Sequence, residues 1–486
     1  MKRIIVIGAG LGGLATAIRL ANAGYSVTVT EKNRTVGGKV NVIESDGYTF
    51  DTGASLVTLP EIIADLFESC GERIENHLSL RRLDVICRYR WSDGTTVDTF
   101  SDITRTAEEF SRIDPEDGRS LAAYLRDAKT KFDIAERTFL DKSLNELPDL
   151  LRPSNIPDLL RISSFRTLAS LNSSRFNSGK IRQIFNRFAT YNGSSPYEVP
   201  ATFSLIPWTE FGVGAWYVMG GIHEIPKATA ALAKRLGVEI VTDTEVEEIV
   251  VEDGAAIGVK TADGFLAADA VVSNADAVET HRRLLDSRNF SDREPSCSGF
   301  VLLLGTRKKF DSLAHHNIFF SNDYRMEFDE MFGKKRPASD PTIYVCATSR
   351  TDPSQAPDGH ENLFVLVNAP YTSDRTDWGK EATAYRDLIV RRLEAAGLDG
   401  LEESIDFEQV ITPNDFESTY HANRGSIYGL SSNGIMAAFK RVPNRSTDYR
   451  DLYFVGGAAH PGGGIPLVLL SAKMTSGLVV KDLAGK

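Results

Sequence analysis

Cysteine is scarce in this chain. Its four copies among 486 residues, Cys70, Cys87, Cys297 and Cys346, lie far apart with no CxxC pair, which points to neither a disulfide framework nor a zinc site and fits a reducing compartment. No run of about 18 apolar residues occurs, so no segment reads as a bilayer-spanning helix. Excess positive charge is also missing: 55 Lys and Arg stand against 66 Asp and Glu, a net charge of −11, which excludes a whole-protein nucleic-acid binder. Internal repeats and low-complexity linkers are absent, and 39 Gly with 19 Pro is ordinary globular usage. Lys2 and Arg3 before an apolar stretch imitate the start of a signal peptide, but the glycines that follow have a better explanation. The length exceeds the ~250–300 residues at which one core stops growing, so two or more domains are expected.

What is present begins at residue 3. RIIVIG is a short β-branched run that reads as a buried parallel strand. It leads into Gly8, Gly10, Leu11, Gly12 and Gly13, then a helical pattern closing at Gly24, then a second strand, YSVTVT, ending at Glu31. Strand, glycine turn, helix and strand with a terminal acid form the dinucleotide-binding fingerprint. Gly8 permits the tight turn, Gly10 lets backbone approach a pyrophosphate, and Gly13 lets helix and strand pack closely. The helix N-terminus offers free N–H groups and partial positive charge to phosphates, and Glu31 can accept hydrogen bonds from ribose hydroxyls.

Farther along, Asp93-Gly94 between alternating residues marks a hairpin within residues 80–101. Residues 101–187 read as helical with breaks at Pro115, Pro148, Pro153 and Pro157. Strand–helix–strand character returns between 220 and 280, and strands at Gly299–Gly305, Thr342–Ala347, Asn362–Asn368 and Ile405–Ile411 accompany a helix at Trp378–Ala396. The last segment is again strand, glycine turn and helix. The expected fold class is α/β, with a Rossmann-like nucleotide-binding domain assembled from 1–100, 220–280 and 445–486. A helical insertion at 101–219 and a mixed α+β substrate domain at 281–444 complete the layout.

EKNRTVGGK followed by YTFDTGAS (Glu31 to Ser55) resembles the flavoprotein superfamily that includes amine oxidases, protoporphyrinogen oxidase and carotenoid desaturases. The C-terminal LYFVGGAAHPGGGIPLVLLSAKMTSGLVVKDL, the block from Arg187 to Ala230 and TPNDFESTYHANRGSIYGL (Thr412–Leu430) resemble the bacterial and fungal-type phytoene desaturase family, and matches run from residue 4 to residue 483. The resemblance implies FAD as cofactor, with contacts from the Gly8–Gly13 turn, Glu31, Lys32, Lys39, Thr52, Gly53, the Val246 backbone, Gly456, Gly457, Gly464, Ile465 and Pro466. It further implies removal of a hydride and a proton from a lipophilic acyclic carotenoid, phytoene or a hydroxylated or methoxylated derivative, with quinone or oxygen as final electron acceptor. His460 is the candidate acid/base or orienting residue, with Asp51 and His421 behind it. A redox-neutral carotenoid isomerase and a flavin amine oxidase remain open as alternatives.

Trp208–Met219 suits an apolar tunnel wall, or equally a packed core. Between Pro148 and Arg187, seven basic residues (Arg152, Arg161, Arg166, Arg175, Lys180, Arg182, Arg187) face two acidic ones, a local charge of +5, with Leu168, Leu171, Phe165, Phe176 and Phe185 among them. A basic, apolar, helix-like stretch suits an anionic membrane surface. The expected location is therefore cytoplasmic, peripherally on the inner face of the cell membrane.

Overall fold

The computed structural model describes residues 1–140, 142–143, 162, 165–287, 293–434 and 441–485. Its N-terminal strand Arg3–Ile7 is buried on both faces, and the period-two alternation sends the two faces into different layers. Ile4 and Val6 join one apolar cluster and Ile5 and Ile7 another. The strand is central in a five-stranded parallel sheet ordered Leu452–Phe454, Ala270–Ser273, Arg3–Ile7, Ser26–Thr30, Glu239–Val241. Three helices cover the first face: Leu11–Asn22, Glu224–Arg235 and the C-terminal Ile465–Ala484. Leu11, Leu14, Ala15 and Ile18, spaced for one helical face, bury the first helix there beside Leu469, Ala472 and Val479 of the last. On the second face lies an antiparallel sheet of Val246–Glu252, Ala255–Thr261 and Gly264–Ala267.

The second body is a seven-stranded mixed sheet, ordered Ile405–Ile411, Ser298–Thr306, Glu361–Ala369, Ile343–Cys346, His316–Phe319, Val85–Arg90, Thr96–Phe100. Here too alternation divides the side chains. Phe300, Leu302 and Leu304 pack with Leu363, Val365 and Val367 under the helix Trp378–Ala395, while Val301, Leu303 and Phe364 face the other way. That opposite face bounds the cavity described below.

One boundary differs from the sequence reading. The hairpin Val85–Phe100, placed there with the nucleotide-binding domain, joins the mixed sheet through parallel pairing of Arg88–Arg90 with Asn317–Phe319. Alternation around Asp93-Gly94 reveals a hairpin but carries no information about a partner more than 200 residues away.

Residues 148–161, 163 and 164 of the basic segment 148–187 lie outside the described residues. Its described part is folded inward more than a membrane-facing helix requires: Leu168, Leu171, Phe176 and Phe185 are buried, the last two packing with Tyr124. Arg187 is committed to Glu210, and Lys180 to Asp93. Phe165, 80% exposed, still faces outward.

Near the mixed sheet, Glu327 is fully buried. Its Oε2 accepts hydrogen bonds from Ser321 Oγ (3.0 Å) and Thr342 Oγ1 (2.7 Å), and its Oε1 has no partner. Burial pushes the carboxyl from 4.5 up to about 7 against the pull of those hydrogen bonds. The folded state therefore holds an extra proton between these values. The associated stability is whole below about pH 4.5 and is lost as pH rises through 7, up to about 3 kcal/mol. Glu327→Gln, which carries no such proton, is expected to gain thermal stability relative to the parent as pH rises from 5 to 8, measured by calorimetry. A difference that does not change with pH would show the carboxyl is already ionised at pH 5.

Candidate active site

The glycine turn lies where the N-terminal strand enters its helix. Gly8 has φ +93°, and a Cβ on Gly13 would lie 2.1 Å from Gly8 O, so the third glycine sets the approach of helix to strand. Cβ atoms on Gly10, Gly12 and Gly456 would each come within 2.9 Å of the Asn274 amide. Asn274, at the end of the strand Ala270–Ser273, donates to Gly8 O (3.2 Å) and ties the two glycine turns together. Sequence reasoning missed it because nothing local distinguishes this asparagine; its meaning comes from the parallel pairing that carries it beside the turn.

A cavity of about 520 Å³ opens from this turn. Gly8, Gly10, Leu11, Gly12, Glu31, Lys32, Lys39, Thr52, Gly53, Val246, Gly456, Gly457, Gly464, Ile465 and Pro466 line it, so the structure brings together all but one of the cofactor residues named from the sequence. The exception, Gly13, sits behind the turn in its packing role. Glu31 is buried, its Oε2 accepting from Ala9 N (2.8 Å) and its Oε1 from Asn33 N (2.9 Å). Lys39 Nζ donates to the carbonyls of Ser426 and Ile427, and burial lowers it to about 8. Lys32 donates to Ser418 O, with burial again lowering its pKa.

Two helix N-termini open on this one cavity, Leu11–Asn22 and Ile465–Ala484, and neither has an acidic residue in its first turn. Their free N–H groups and dipoles are thus left for a ligand's negative charge. At the second, a Cβ on Gly464 would meet nothing within 4 Å. A dinucleotide fits this arrangement: the pyrophosphate at the first helix, ribose hydroxyls at Glu31, and a planar ring system against Gly456–Gly457 and Gly464–Pro466.

Beyond the glycine-lined part, the cavity continues against the mixed sheet. Leu56, Ile86, Val301, Ile318, Phe364 and Leu366 form an apolar wall. Polar groups interrupt it. Ser55 Oγ lies 2.7 Å from Tyr344 OH, which lies 2.7 Å from His316 Nδ1. Arg187 and Glu210, 8% and 0% exposed by side chain, pair at 3.0 Å. Arg187 also donates to Tyr89 OH (2.9 Å) and Tyr191 OH (3.2 Å), and Tyr191 OH donates to the other oxygen of Glu210. Burial pushes the Glu210 carboxyl upward against the attraction of Arg187. This pair was not foreseen as a unit, since Arg187 counted as part of the basic surface. Within the 208–219 stretch Glu210 lines the cavity, whereas Phe211 and Tyr217 are core.

The catalytic candidates fare differently. His460 does not line the cavity. It is fully buried, with Nε2 directed at the carbonyls of Phe139 (3.1 Å) and Lys142 (2.9 Å), and burial lowers it to about 4. Its place between two glycine clusters puts its backbone near the site, but the ring turns toward the helical insertion. Asp51 is also outside the lining. It accepts from Ile222 N, His223 N and His223 Nδ1, closing the N-terminus of the helix Glu224–Arg235. His421 does line the cavity, near Glu245, with burial lowering it to about 4.

The family model for flavin-containing amine oxidoreductases matches residues 11–480. A 4,4'-diapolycopene oxygenase from Methylomonas is 38% identical, with 99% of each chain covered. A 1-hydroxycarotenoid 3,4-desaturase from Flavobacterium is also 38% identical over 99% of each chain. A 4,4'-diaponeurosporene oxygenase from Staphylococcus aureus is 36% identical, covering 98% of this chain and 97% of that one. Among solved structures, an oxidoreductase from Methanosarcina mazei superposes with TM-score 0.66 at 18% identity, covering 100% of both chains. Cyclohexylamine oxidase from Brevibacterium oxydans superposes with TM-score 0.64 at 15% identity over 99% of each, which shows a shared fold.

Proposed function

We propose, from the premise that this chain belongs to the flavin-containing amine oxidoreductase family, that it is a FAD-dependent desaturase of an acyclic carotenoid of the phytoene type or a hydroxylated or methoxylated derivative. The observation that carries this reading is the continuity of one cavity from the glycine cradle to a wall of Leu56, Ile86, Val301, Ile318, Phe364 and Leu366, with relatives named for carotenoids over nearly full length. Bound FAD supplies a two-electron hydride acceptor. The protein's own part is positional. The free N–H groups at the N-terminus of Ile465–Ala484 would stabilise negative charge on a ring held against Gly464–Pro466. The apolar wall holds a polyene carbon chain beside it and excludes water. With FAD held there, one carbon would give up a hydride to the flavin and its neighbour a proton to solvent water, leaving a double bond between them, and quinone or oxygen would take the electron pair from the cofactor.

A second reading, oxidation of a terminal carbon, is favoured by the buried Arg187–Glu210–Tyr191 cluster in the cavity wall, which a pure hydrocarbon leaves unused. FAD-loaded protein incubated with liposomes carrying phytoene, lycopene or a 1-hydroxylated derivative separates them. Products absorbing at longer wavelength support desaturation, more polar products support terminal oxidation, and no change with any substrate overturns both.

The substrate's insolubility in water supports a protein of the cytoplasmic side working peripherally on the membrane, through the part of segment 148–187 that carries exposed Phe165. Phe165→Asp is expected to lower binding to anionic liposomes several-fold in a flotation assay. Unchanged binding would remove Phe165 from the contact.

A further inference from the structure

The strands His316–Phe319 and Ile343–Cys346 run antiparallel with His316 directly opposite Cys346, and His315 stands just ahead of the first paired residue. Donor atoms of His315, His316 and Cys346 lie within 4.8 Å of one another, and all three residues are buried. The two rings meet edge to face with centroids 4.4 Å apart. Each imidazole is held by one nitrogen. His315 Nδ1 lies 2.6 Å from Thr351 Oγ1, and His316 Nδ1 lies 2.7 Å from Tyr344 OH. The two Nε2 atoms are sealed from solvent and have no partner among the described residues.

An unpaired buried polar atom is costly, and two of them beside a thiol call for an explanation. Anchoring of the far ring nitrogen is the usual way a ligating histidine is oriented. We propose that His315 Nε2, His316 Nε2 and Cys346 Sγ form a binding site for a soft or borderline d10 ion, Zn²⁺ or Cu⁺. Imidazole and thiolate are the donor types that both ions favour. Both histidines would bind as neutral imidazoles, so only the thiol proton would be released on binding. Cysteine spacing alone conceals such a site, because two of its ligands are histidines and the third reaches them only through cross-strand register. His316 and Tyr344 also line the large cavity, so the ion braces the sheet at the back of the apolar wall.

The test uses FAD-loaded protein purified without chelator. Its metal content is measured by plasma mass spectrometry, and it is then titrated with Zn²⁺ and, without oxygen, with Cu⁺. One ion per chain is expected from one of the two, with a rise in melting temperature; Co²⁺ in its place should show a thiolate charge-transfer band. Cys346→Ser should lose the ion and the band while keeping flavin absorbance. Where that variant fails to fold, His315→Gln serves with the same expectation. Absence of stoichiometric binding for both ions, or unaltered binding in a folded variant, overturns the site. Flavin content and polyene turnover are read separately, so failure here leaves the proposed reaction standing.

Discussion

Gly13→Val protein is expected to purify without flavin absorbance and with reduced thermal stability. The new Cβ lands 2.1 Å from the carbonyl oxygen of Gly8, with the Asn274 side chain 3.2 Å away. The obstructing atom is backbone and cannot rotate aside. Relief requires the helix Leu11–Asn22 to lift from the strand Arg3–Ile7, which spoils the turn that receives the pyrophosphate. A loss of flavin affinity beyond about 100-fold, roughly 2.7 kcal/mol, is expected. Gly477→Ala is the matched control. Gly477 is an exposed glycine inside the helix Ile465–Ala484, with nothing within 4 Å of an added Cβ, and it should keep its flavin and gain about 0.5–1 kcal/mol from helix propensity. Normal flavin content in Gly13→Val would mean that the turn tolerates the displacement and does not hold the pyrophosphate.

Arg187→Ala is the second large effect. Its guanidinium and Glu210 form a buried pair with two tyrosine hydroxyls, and removal of one member strands a charge in a poorly solvated place. A loss of about 3–5 kcal/mol is expected, and Glu210→Ala should match it. The double variant Arg187→Met/Glu210→Leu removes both charges and should recover most of that stability. Chemical denaturation checks the energies, and a cost below 1 kcal/mol for either single change would show that solvent reaches the pair. The double variant also informs function. If the pair only supports the fold, turnover returns with stability. If it orients an oxygenated end group, the folded double variant still fails on hydroxylated polyenes while accepting hydrocarbon ones.

The cofactor turn was legible because its chemistry is local: phosphate binding requires glycines at fixed spacing before a helix, and all of it lies within thirty residues. Glu31, Lys39 and Gly464–Pro466 followed from motif resemblance, and each reaches the cavity. What could not be read are the properties created by long-range pairing. Asn274 gains its role from a parallel register with the first strand, and Val301 and Phe364 become cavity wall because strand alternation turns them away from the helix Trp378–Ala395. The hairpin Val85–Phe100 is legible as a hairpin, but its parallel pairing with Asn317–Phe319 is not. His460 shows a different limit, since proximity along the chain locates a backbone but not the direction of a ring. The sequence reading of Arg187 as surface charge failed for a related reason: its acid partner, 23 residues away, meets it only when the intervening irregular helices fold back.

The parallel sheet is ordered so that its edge strand Leu452–Phe454 and the helix Ile465–Ala484 are separated in the chain from the glycine turn at residues 8–13 by more than 400 residues. During synthesis, the turn therefore waits for that length of chain before its opposite wall exists. Loop closure of that length makes completion of the nucleotide-binding domain a late step. Flavin can be enclosed only after residues 452–484 have emerged. Until then the apolar side of the helix Leu11–Asn22 lacks the partner that covers it. Nascent protein therefore has a long interval of exposure to chaperones, and free FAD concentration once the last wall has emerged bears directly on the yield of folded protein.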